Sequence, residues 1–153
     1  MRLLDGLQKS HVLTQLKVDS KRALFEHVAP LVCRSRPELS SDLVLERLWE
    51  RESQASTAIG PDVAIPHAMV PGLTENVLWI CSLADPLDYD NNGESFVQLV
   101  FVLLSPADRP GMHIKTLARI ARMCSQSGFI AKITAARTPD QAYRCIEEAD
   151  ERL

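Results

Sequence analysis

The chain has 153 residues and a formal net charge of −3, and 46% of its residues are hydrophobic and 24% charged. This balance is typical of globular proteins and excludes an intrinsically disordered chain, and the length suits one domain with a sizeable core. The slight acidity argues against a dedicated nucleic-acid binder, which usually presents a strongly basic face.

Two helices are predicted in the N-terminal third of the chain. Apolar residues recur at helical spacing after a cap at Asp19 or Ser20, and the helix is expected to end before Pro37. A second helix is predicted from Ser40 or Ser41 to about Ser53. The apolar face of this second helix is predicted to consist of Leu43, Leu45, Leu48 and Trp49.

The middle of the chain predicts strands. Residues 56–69 lack clean periodicity and contain turn-forming glycine and prolines, so a loop with one short strand at 63–65 is expected. A strand is predicted from Asn76 to Leu83, closed by Asp85-Pro86. The stretch from Phe96 to Leu104 is apolar apart from Gln98, which is typical of a central strand buried on both faces.

Helices follow in the C-terminal third, at His113–Cys124, near Phe129–Ala136 and after Thr138-Pro139. The apolar face of the first of these is predicted to consist of Ile114, Leu117, Ala118, Ala121 and Cys124. Because helices and strands mingle along the chain, we expect an α/β fold: a single domain with a mixed central sheet flanked by helices on both faces.

No segment is predicted to enter a membrane. Uncharged stretches such as residues 76–84 and 95–107 are shorter than the roughly 18 to 20 apolar residues that a span needs. Asp5 interrupts the N-terminus before an apolar signal region can form.

The four cysteines are too widely spaced for a zinc knuckle or a redox pair. We therefore expect a cytoplasmic protein with reduced thiols.

His67 is the first candidate for chemistry. It follows Ile65-Pro66, and the proline stiffens the backbone that carries the imidazole. Such a histidine can hold its imidazole exposed while a partner molecule approaches. The alternative is that it only closes a turn of the chain. His11 lies in a polar segment and His27 on a helix, and a structural or incidental role is expected for both.

His113 and Arg51 are two further candidates. His113 follows a buried strand and begins a helix, a place where α/β folds bind ligands and where helix amides favour anions. A solvated residue of the first helical turn is the competing interpretation. Arg51 lies near the end of the second helix. Its guanidinium either binds phosphate bidentately or interacts favourably with the negative end of the helix dipole.

The sequence lacks the common signatures of other catalytic classes. It has no phosphate-binding Gly-x-x-x-x-Gly-Lys loop, no Gly-x-Gly-x-x-Gly fingerprint, no Gly-x-Ser-x-Gly elbow and no His-Glu-x-x-His. His67 and His113 lie 46 positions apart, and a zinc site would need a third ligand that the sequence does not reveal.

Taken together, several segments resemble enzyme IIA of the bacterial phosphoenolpyruvate-dependent sugar phosphotransferase system, in its fructose/mannitol/nitrogen-regulatory branch. The segments are Arg51-Glu52, Ser56–Gly60 and Ala64–Ala68 in the centre, Leu103–Pro106 and His113–Ala118 in a second block, and Ser20–Leu24 in the first helix. The resemblance covers almost the whole chain from about residue 10 onward.

This resemblance implies a phosphocarrier without cofactor or metal, with residues 1–153 as one enzyme IIA type 2 domain. It implies that His67 accepts a phosphoryl group from a phosphorylated histidine carrier protein, and that Arg51 and His113 surround that group. It also implies that Nε2 is the reactive atom of His67 and that Nδ1–H donates to a carbonyl or carboxylate. Where the family commonly has glycine, this chain has Ala55 and Ala58, which would be poorly tolerated at a positive φ.

Four functional hypotheses remain open at this point. The first is a nitrogen-regulatory phosphocarrier whose phosphorylation changes its binding to regulatory target proteins. The second is a sugar-uptake carrier of the fructose/mannitol type that passes phosphate to the cysteine of an enzyme IIB. The third and fourth are a non-catalytic regulatory binding module and a metal-dependent hydrolase.

Overall fold

A mixed sheet of six strands lies between two layers of helices in the computed structural model, which describes residues 2–153. The helices are α1 (Lys21–Ser35), α2 (Ser41–Gln54), α3 (Pro110–Cys124), α4 (Phe129–Ala135) and α5 (Pro139–Glu151). The strands are β1 (Val12–Leu16), β2 (Ala58–Ile59), β3 (Val63–Ala64), β4 (His67–Val70), β5 (Val77–Asp88) and β6 (Phe96–Pro106). Two short 3₁₀ turns, Leu3–Gly6 and Lys9–His11, precede β1.

The strand order is β1-β5-β6-β3-β2, and β4 also pairs with β6. β5 and β6 are antiparallel, whereas β1 runs parallel to β5 and both β3 and β4 run parallel to β6. β3 pairs with residues 99 and 100 of β6, and β4 pairs with residues 103–106. The two short strands therefore follow one another along the same side of β6, which places His67 opposite Leu103.

Alternating residues of β5 and β6 enter two separate hydrophobic clusters. Val100 and Val102 pack in the cluster with α1 and α2, whereas Leu99 and Phe101 pack in the cluster with α3, α4 and α5. All of these side chains are buried, as a strand covered by helices on both faces requires. The α/β fold with helices on both faces of a mixed sheet is therefore confirmed.

Three helix starts predicted from capping residues are confirmed. The hydroxyl of Ser20 accepts a hydrogen bond from the Ala23 amide, and that of Ser40 accepts one from the Leu43 amide. Thr138 caps α5 in the same way, with Pro139 as the first helical residue. These caps fix the starts of α1, α2 and α5 by local chemistry alone.

The predicted apolar faces of α2 and α3 were right only in part. The predicted residues that do pack in or against the core are Leu43, Leu45 and Leu48 on α2 and Leu117 and Cys124 on α3. On α2 the buried residues are Val44, Leu48 and Glu52, while Trp49 is 37% exposed. On α3 they are His113, Thr116, Ile120 and Met123, while Ile114 is 66% exposed. Each helix directs at least one polar side chain inward because buried groups form hydrogen bonds with it. The spacing of hydrophobic residues carries no information about such bonds.

Two predicted boundaries in the sheet were also wrong. Strand β5 does not close at Asp85-Pro86 but continues to Asp88, because the register shifts between Ser82 and Leu87 and leaves Pro86 exposed in a bulge. A proline in such a bulge removes no hydrogen bond of the ladder. His67, expected in a loop, is the first residue of β4.

Within residues 2–153, no helix combines the length and the apolar character that crossing a membrane requires.

Candidate functional site

Arg51, His67 and His113 lie together at one place on the sheet. Arg51 is in the last turn of α2, His67 begins β4 and His113 is in the first turns of α3. The two imidazole ring centroids are 5.1 Å apart, and Arg51 Nε is 3.1 Å from His67 Nε2. The fold thus joins three residues that are distant in sequence and belong to three different elements.

Hydrogen bonds on both ring nitrogens fix the tautomer of His67. Its Nδ1 lies 2.6 Å from the carbonyl oxygen of Ile65, which can only accept, so Nδ1 carries the hydrogen. Arg51 Nε–H can only donate, so Nε2 presents its lone pair to the guanidinium. The backbone of Ile65 is therefore the acceptor that the sequence left unidentified.

The guanidinium of Arg51 is itself held by the loop that follows α2. Its Nη1 donates to the carbonyl oxygen of Ala55 at 2.8 Å. Ala55 has an extended backbone, with φ at −170°, and neither it nor Ala58 adopts the left-handed conformation. Replacement of the family's glycines by alanine at these two positions therefore introduces no backbone strain.

A hydrogen bond to the end of β6 holds the His113 side chain in place. His113 is 8% exposed, and its Nδ1 lies 2.7 Å from the hydroxyl oxygen of Ser105, a fully buried residue. The interpretation of His113 as a solvated residue of the first helical turn is therefore wrong. The serine hydroxyl fixes the ring beside His67, with the two ring planes inclined by 49°.

Both histidines of the site have pKa values below that of a free imidazole. Burial lowers the pKa of His67, and the Arg51 charge adds to this against the opposing effects of the Ile65 carbonyl and Glu52. Burial, followed by the charges of His67 and Arg51, lowers the pKa of His113 to about 4. At neutral pH both rings are neutral, which is the nucleophilic form of imidazole.

This electrostatic setting predicts a pH-dependent stability. The ordinary histidine pKa of 6.5 applies to the unfolded chain, so on acidification the unfolded state binds a proton at His113 before the folded state does. His113 alone should therefore destabilise the fold progressively from pH 6.5 to about 4, by roughly 3 kcal/mol in total. Urea unfolding of wild type and His113→Gln over this range measures the effect; equal slopes would contradict it.

Beside the site lies a buried polar network that the sequence analysis missed. The Glu52 carboxylate, with its side chain 3% exposed, accepts hydrogen bonds from Lys21 Nζ at 3.0 Å and from the Thr57 amide and hydroxyl at 3.0 and 2.7 Å. Lys21 also pairs with Asp90 at 2.7 Å. A negatively charged carboxylate in the last turn of a helix is repelled by the negative end of the helix dipole. That unfavourable position of Glu52 is the feature of the sequence that could have indicated a buried partner.

The other histidines and the cysteines lie outside this arrangement. His11 is buried and stacks on Trp79 with ring centroids 4.5 Å apart, and His27 is exposed on α1. The structural role expected for His11 is therefore confirmed. Across residues 2–153, no three His, Cys, Asp or Glu side chains are grouped so that they could hold a metal ion.

The arrangement opens to solvent in a depression of about 400 Å³. A neutral imidazole nucleophile, a guanidinium fork and a second imidazole converge there, a combination suited to binding a phosphoryl group and bonding it to nitrogen. Met69 on β4 lines the depression and is 40% exposed, and Ile114 follows His113 in the chain. The mouth of the site thus combines cationic and apolar surface.

Comparisons with known proteins agree with this chemistry. Residues 6–149 match the family described as phosphoenolpyruvate-dependent sugar phosphotransferase system, EIIA 2. The chain is similar to a nitrogen regulatory protein of Bradyrhizobium diazoefficiens, with 32% identity over 95% of both chains.

Two solved structures show the same fold. The crystal structure of nitrogen regulatory protein IIA-Ntr from Neisseria meningitidis matches with a TM-score of 0.85 and 29% identity, over 93% of this chain and 97% of that one. Enzyme IIA-mannitol of Escherichia coli, solved in complex with phosphorylated enzyme IIB-mannitol, matches with a TM-score of 0.78 over 93% and 97% of the two chains, at 12% identity.

Proposed function

The chain belongs to the EIIA 2 family of the phosphoenolpyruvate-dependent sugar phosphotransferase system, and from that premise we propose that it accepts a phosphoryl group on Nε2 of His67. Members of this family act as phosphoryl carriers through a phosphohistidine. The observation that supports His67 is its pair of ring contacts, Nδ1–H to the Ile65 carbonyl and Nε2 to Arg51. They leave Nε2 unprotonated and beside a cation.

Transfer to His67 needs no proton removal in this geometry. The Nε2 lone pair attacks the phosphorus atom of the donor's phosphohistidine, and a new nitrogen–phosphorus bond forms as the donor's bond breaks. Nδ1 keeps its hydrogen throughout because the Ile65 carbonyl only accepts. Phosphoryl transfer then depends chiefly on positioning and on stabilising the charge of the phosphoryl oxygens.

Arg51 has to move during the reaction. Its Nε–H points at the lone pair that forms the new bond, so it must withdraw from Nε2 before the phosphorus atom arrives. The hydrogen bond from Nη1 to Ala55 can persist while the other N–H groups turn to the phosphoryl oxygens. Arg51 thus changes its partner from the nucleophile to the bound group, and the neighbouring His113 is a second group that supports it.

The proposed phosphoryl donor is a phosphorylated histidine carrier protein. Downstream we favour regulatory target proteins, because the relatives named nitrogen regulatory protein match this chain over nearly their full length. A sugar-uptake role, with transfer to the cysteine of an enzyme IIB, is the second candidate, and the complex of enzyme IIA-mannitol with phosphorylated enzyme IIB supports it. We place the protein in the cytoplasm, with residues 1–153 as one domain.

The direct test is phosphorylation in a purified system. The protein is incubated with phosphoenolpyruvate, enzyme I and the histidine carrier protein, and its intact mass is recorded. An acid-labile gain of one phosphoryl group supports the proposal. No gain, with the organism's own carrier protein fully phosphorylated, contradicts it and leaves a binding module. Onward transfer to an enzyme IIB would favour the sugar-uptake role over the regulatory one.

Docking of the donor provides a separate prediction. The donor's phosphohistidine must reach the depression that His113 lines, and we expect the donor to contact the exposed side chain of Ile114, the next residue of α3. Ile114→Asp should raise the KM for the phosphorylated carrier about tenfold with little change in kcat. Steady-state transfer rates at varied carrier concentration measure both constants.

A matched control for Ile114 lies at the far end of β6. Phe96 is also apolar and is 47% exposed. It lies seven strand residues, or roughly 23 Å, from Leu103, the residue of β6 that pairs with His67. Phe96→Asp should leave KM unchanged. Equal effects of the two substitutions would show that the change reflects general surface charge, not docking.

A further inference from the structure

We propose that Thr57, through its hydrogen bonds to Glu52, is a positioning residue for the Arg51 guanidinium. The inference rests on the proposed function and extends it from the residues around the phosphoryl group to the loop that orients one of them. Residues 55–57 form this loop, between the end of α2 and β2.

The first step is the contact between Arg51 and the loop. Arg51 Nη1 donates to the Ala55 carbonyl oxygen at 2.8 Å. With Nε directed at His67, this second bond fixes the plane of the guanidinium, since two N–H groups of a rigid planar fork are then bound. The direction of the Arg51 fork therefore depends on where the loop holds the Ala55 carbonyl.

The second step is how the loop is held. Thr57, only 4% exposed, donates both its amide and its hydroxyl hydrogen to Glu52, at 3.0 and 2.7 Å. The exposed Ser56 donates its hydroxyl to Asp90 at 2.6 Å. These bonds attach two successive loop residues to carboxylates that Lys21 links to α1.

The third step is the chemistry of the buried Glu52. A buried carboxylate is stable only when its oxygens are paired, and Lys21, the Thr57 amide and the Thr57 hydroxyl supply three of its partners. Tyr89 OH supplies the fourth at 3.3 Å. The carboxylate immediately follows Arg51 in the chain, so the same helical turn presents the arginine and the group that holds its loop.

A purely structural role for Thr57 makes different predictions from a positioning role. Thr57→Val preserves the shape and removes the hydroxyl, while Thr57→Ser restores the hydroxyl. Thr134→Val is the matched control, because the Thr134 hydroxyl likewise donates a hydrogen bond of 2.7 Å, to the Ile130 carbonyl oxygen on α4. Ser56→Ala tests the second attachment of the loop at an exposed position, where folding is not at risk.

The first measurement needs no phosphoryl donor. The ¹⁵N resonance of His67 Nε2 reports its hydrogen bond from Arg51, so Thr57→Val should shift it in the direction seen in Arg51→Ala. Thr57→Ser and Thr134→Val should leave it at the wild-type position. An unshifted resonance in Thr57→Val would overturn the proposal, whether or not the protein is ever phosphorylated.

The second measurement is the single-turnover rate of transfer to His67. We expect Thr57→Val to slow transfer about tenfold and Thr57→Ser to recover most of that loss. In an Arg51→Ala background Thr57→Val should cause little further loss, because the residue that it positions is gone. The same tenfold loss in both backgrounds would overturn the positioning role. An unphosphorylated wild type would instead contradict the proposed function alone.

Discussion

His67→Ala is expected to abolish phosphoryl acceptance. The substitution removes the Nε2 atom that we propose as the acceptor. Arg51 has no lone pair that could replace it, and His113 is 8% exposed and held by Ser105. We expect no mass gain after incubation with the complete donor system, against one phosphoryl group for wild type. Native-like circular dichroism of the variant is the companion measurement.

The control for this experiment is His27→Ala. His27 is exposed on α1 and does not line the depression, so its removal should leave the full gain of one phosphoryl group. A phosphoryl group that persists in His67→Ala, and that peptide mapping places on another histidine, would refute the assignment of Nε2 of His67 as the acceptor.

Arg51→Ala is expected to slow transfer by about 10²- to 10³-fold, the usual loss when one preorganised donor is removed from the position of developing charge. Two effects oppose each other in this variant. Loss of the guanidinium frees the Nε2 lone pair and removes a charge that lowers the pKa of His67, but it also removes stabilisation of the phosphoryl oxygens. We expect the second effect to dominate because the first changes only the resting state.

Rapid-quench measurement of single-turnover transfer at saturating carrier tests this prediction. Arg51→Lys should retain only part of the rate, since an ammonium keeps the charge but lacks the planar fork that binds Ala55 and the phosphoryl oxygens together. Arg22→Ala is the control, because Arg22 is exposed on α1 and pairs only with Glu26 one turn later. A loss of less than threefold in Arg51→Ala would remove Arg51 from the proposed machinery.

Local chemistry explains what could be predicted of the fold. Ser20, Ser40 and Thr138 cap helices through their own hydroxyls, so no distant contact is needed to place those starts. The run of β6, apolar apart from Gln98, likewise predicts a strand covered on both faces. The family resemblance then supplied the three candidate site residues, which the local patterns alone left undecided.

Features that depend on contacts between distant residues could not be predicted. The inward orientation of His113 depends on Ser105, eight residues earlier on a neighbouring strand. The burial of Glu52 depends on Lys21, 31 residues away, and on Tyr89, 37 residues away. Strand β4 forms only because β6 offers a parallel edge to a short segment that lacks periodicity of its own. In each case a tertiary partner overrides the local pattern.

The hydrogen bond between His67 and Ile65 also bears on how readily the phosphoryl group departs again. The carbonyl raises the pKa of the imidazole and cannot remove the Nδ1 hydrogen, so in the proposed reaction the neutral ring would become positively charged when Nε2 binds the phosphoryl group. A cationic ring is a better leaving group than a neutral one, because it departs as uncharged imidazole. In the proposed carrier, one backbone oxygen would thereby keep the phosphoryl group labile and its exchange with a protein partner reversible.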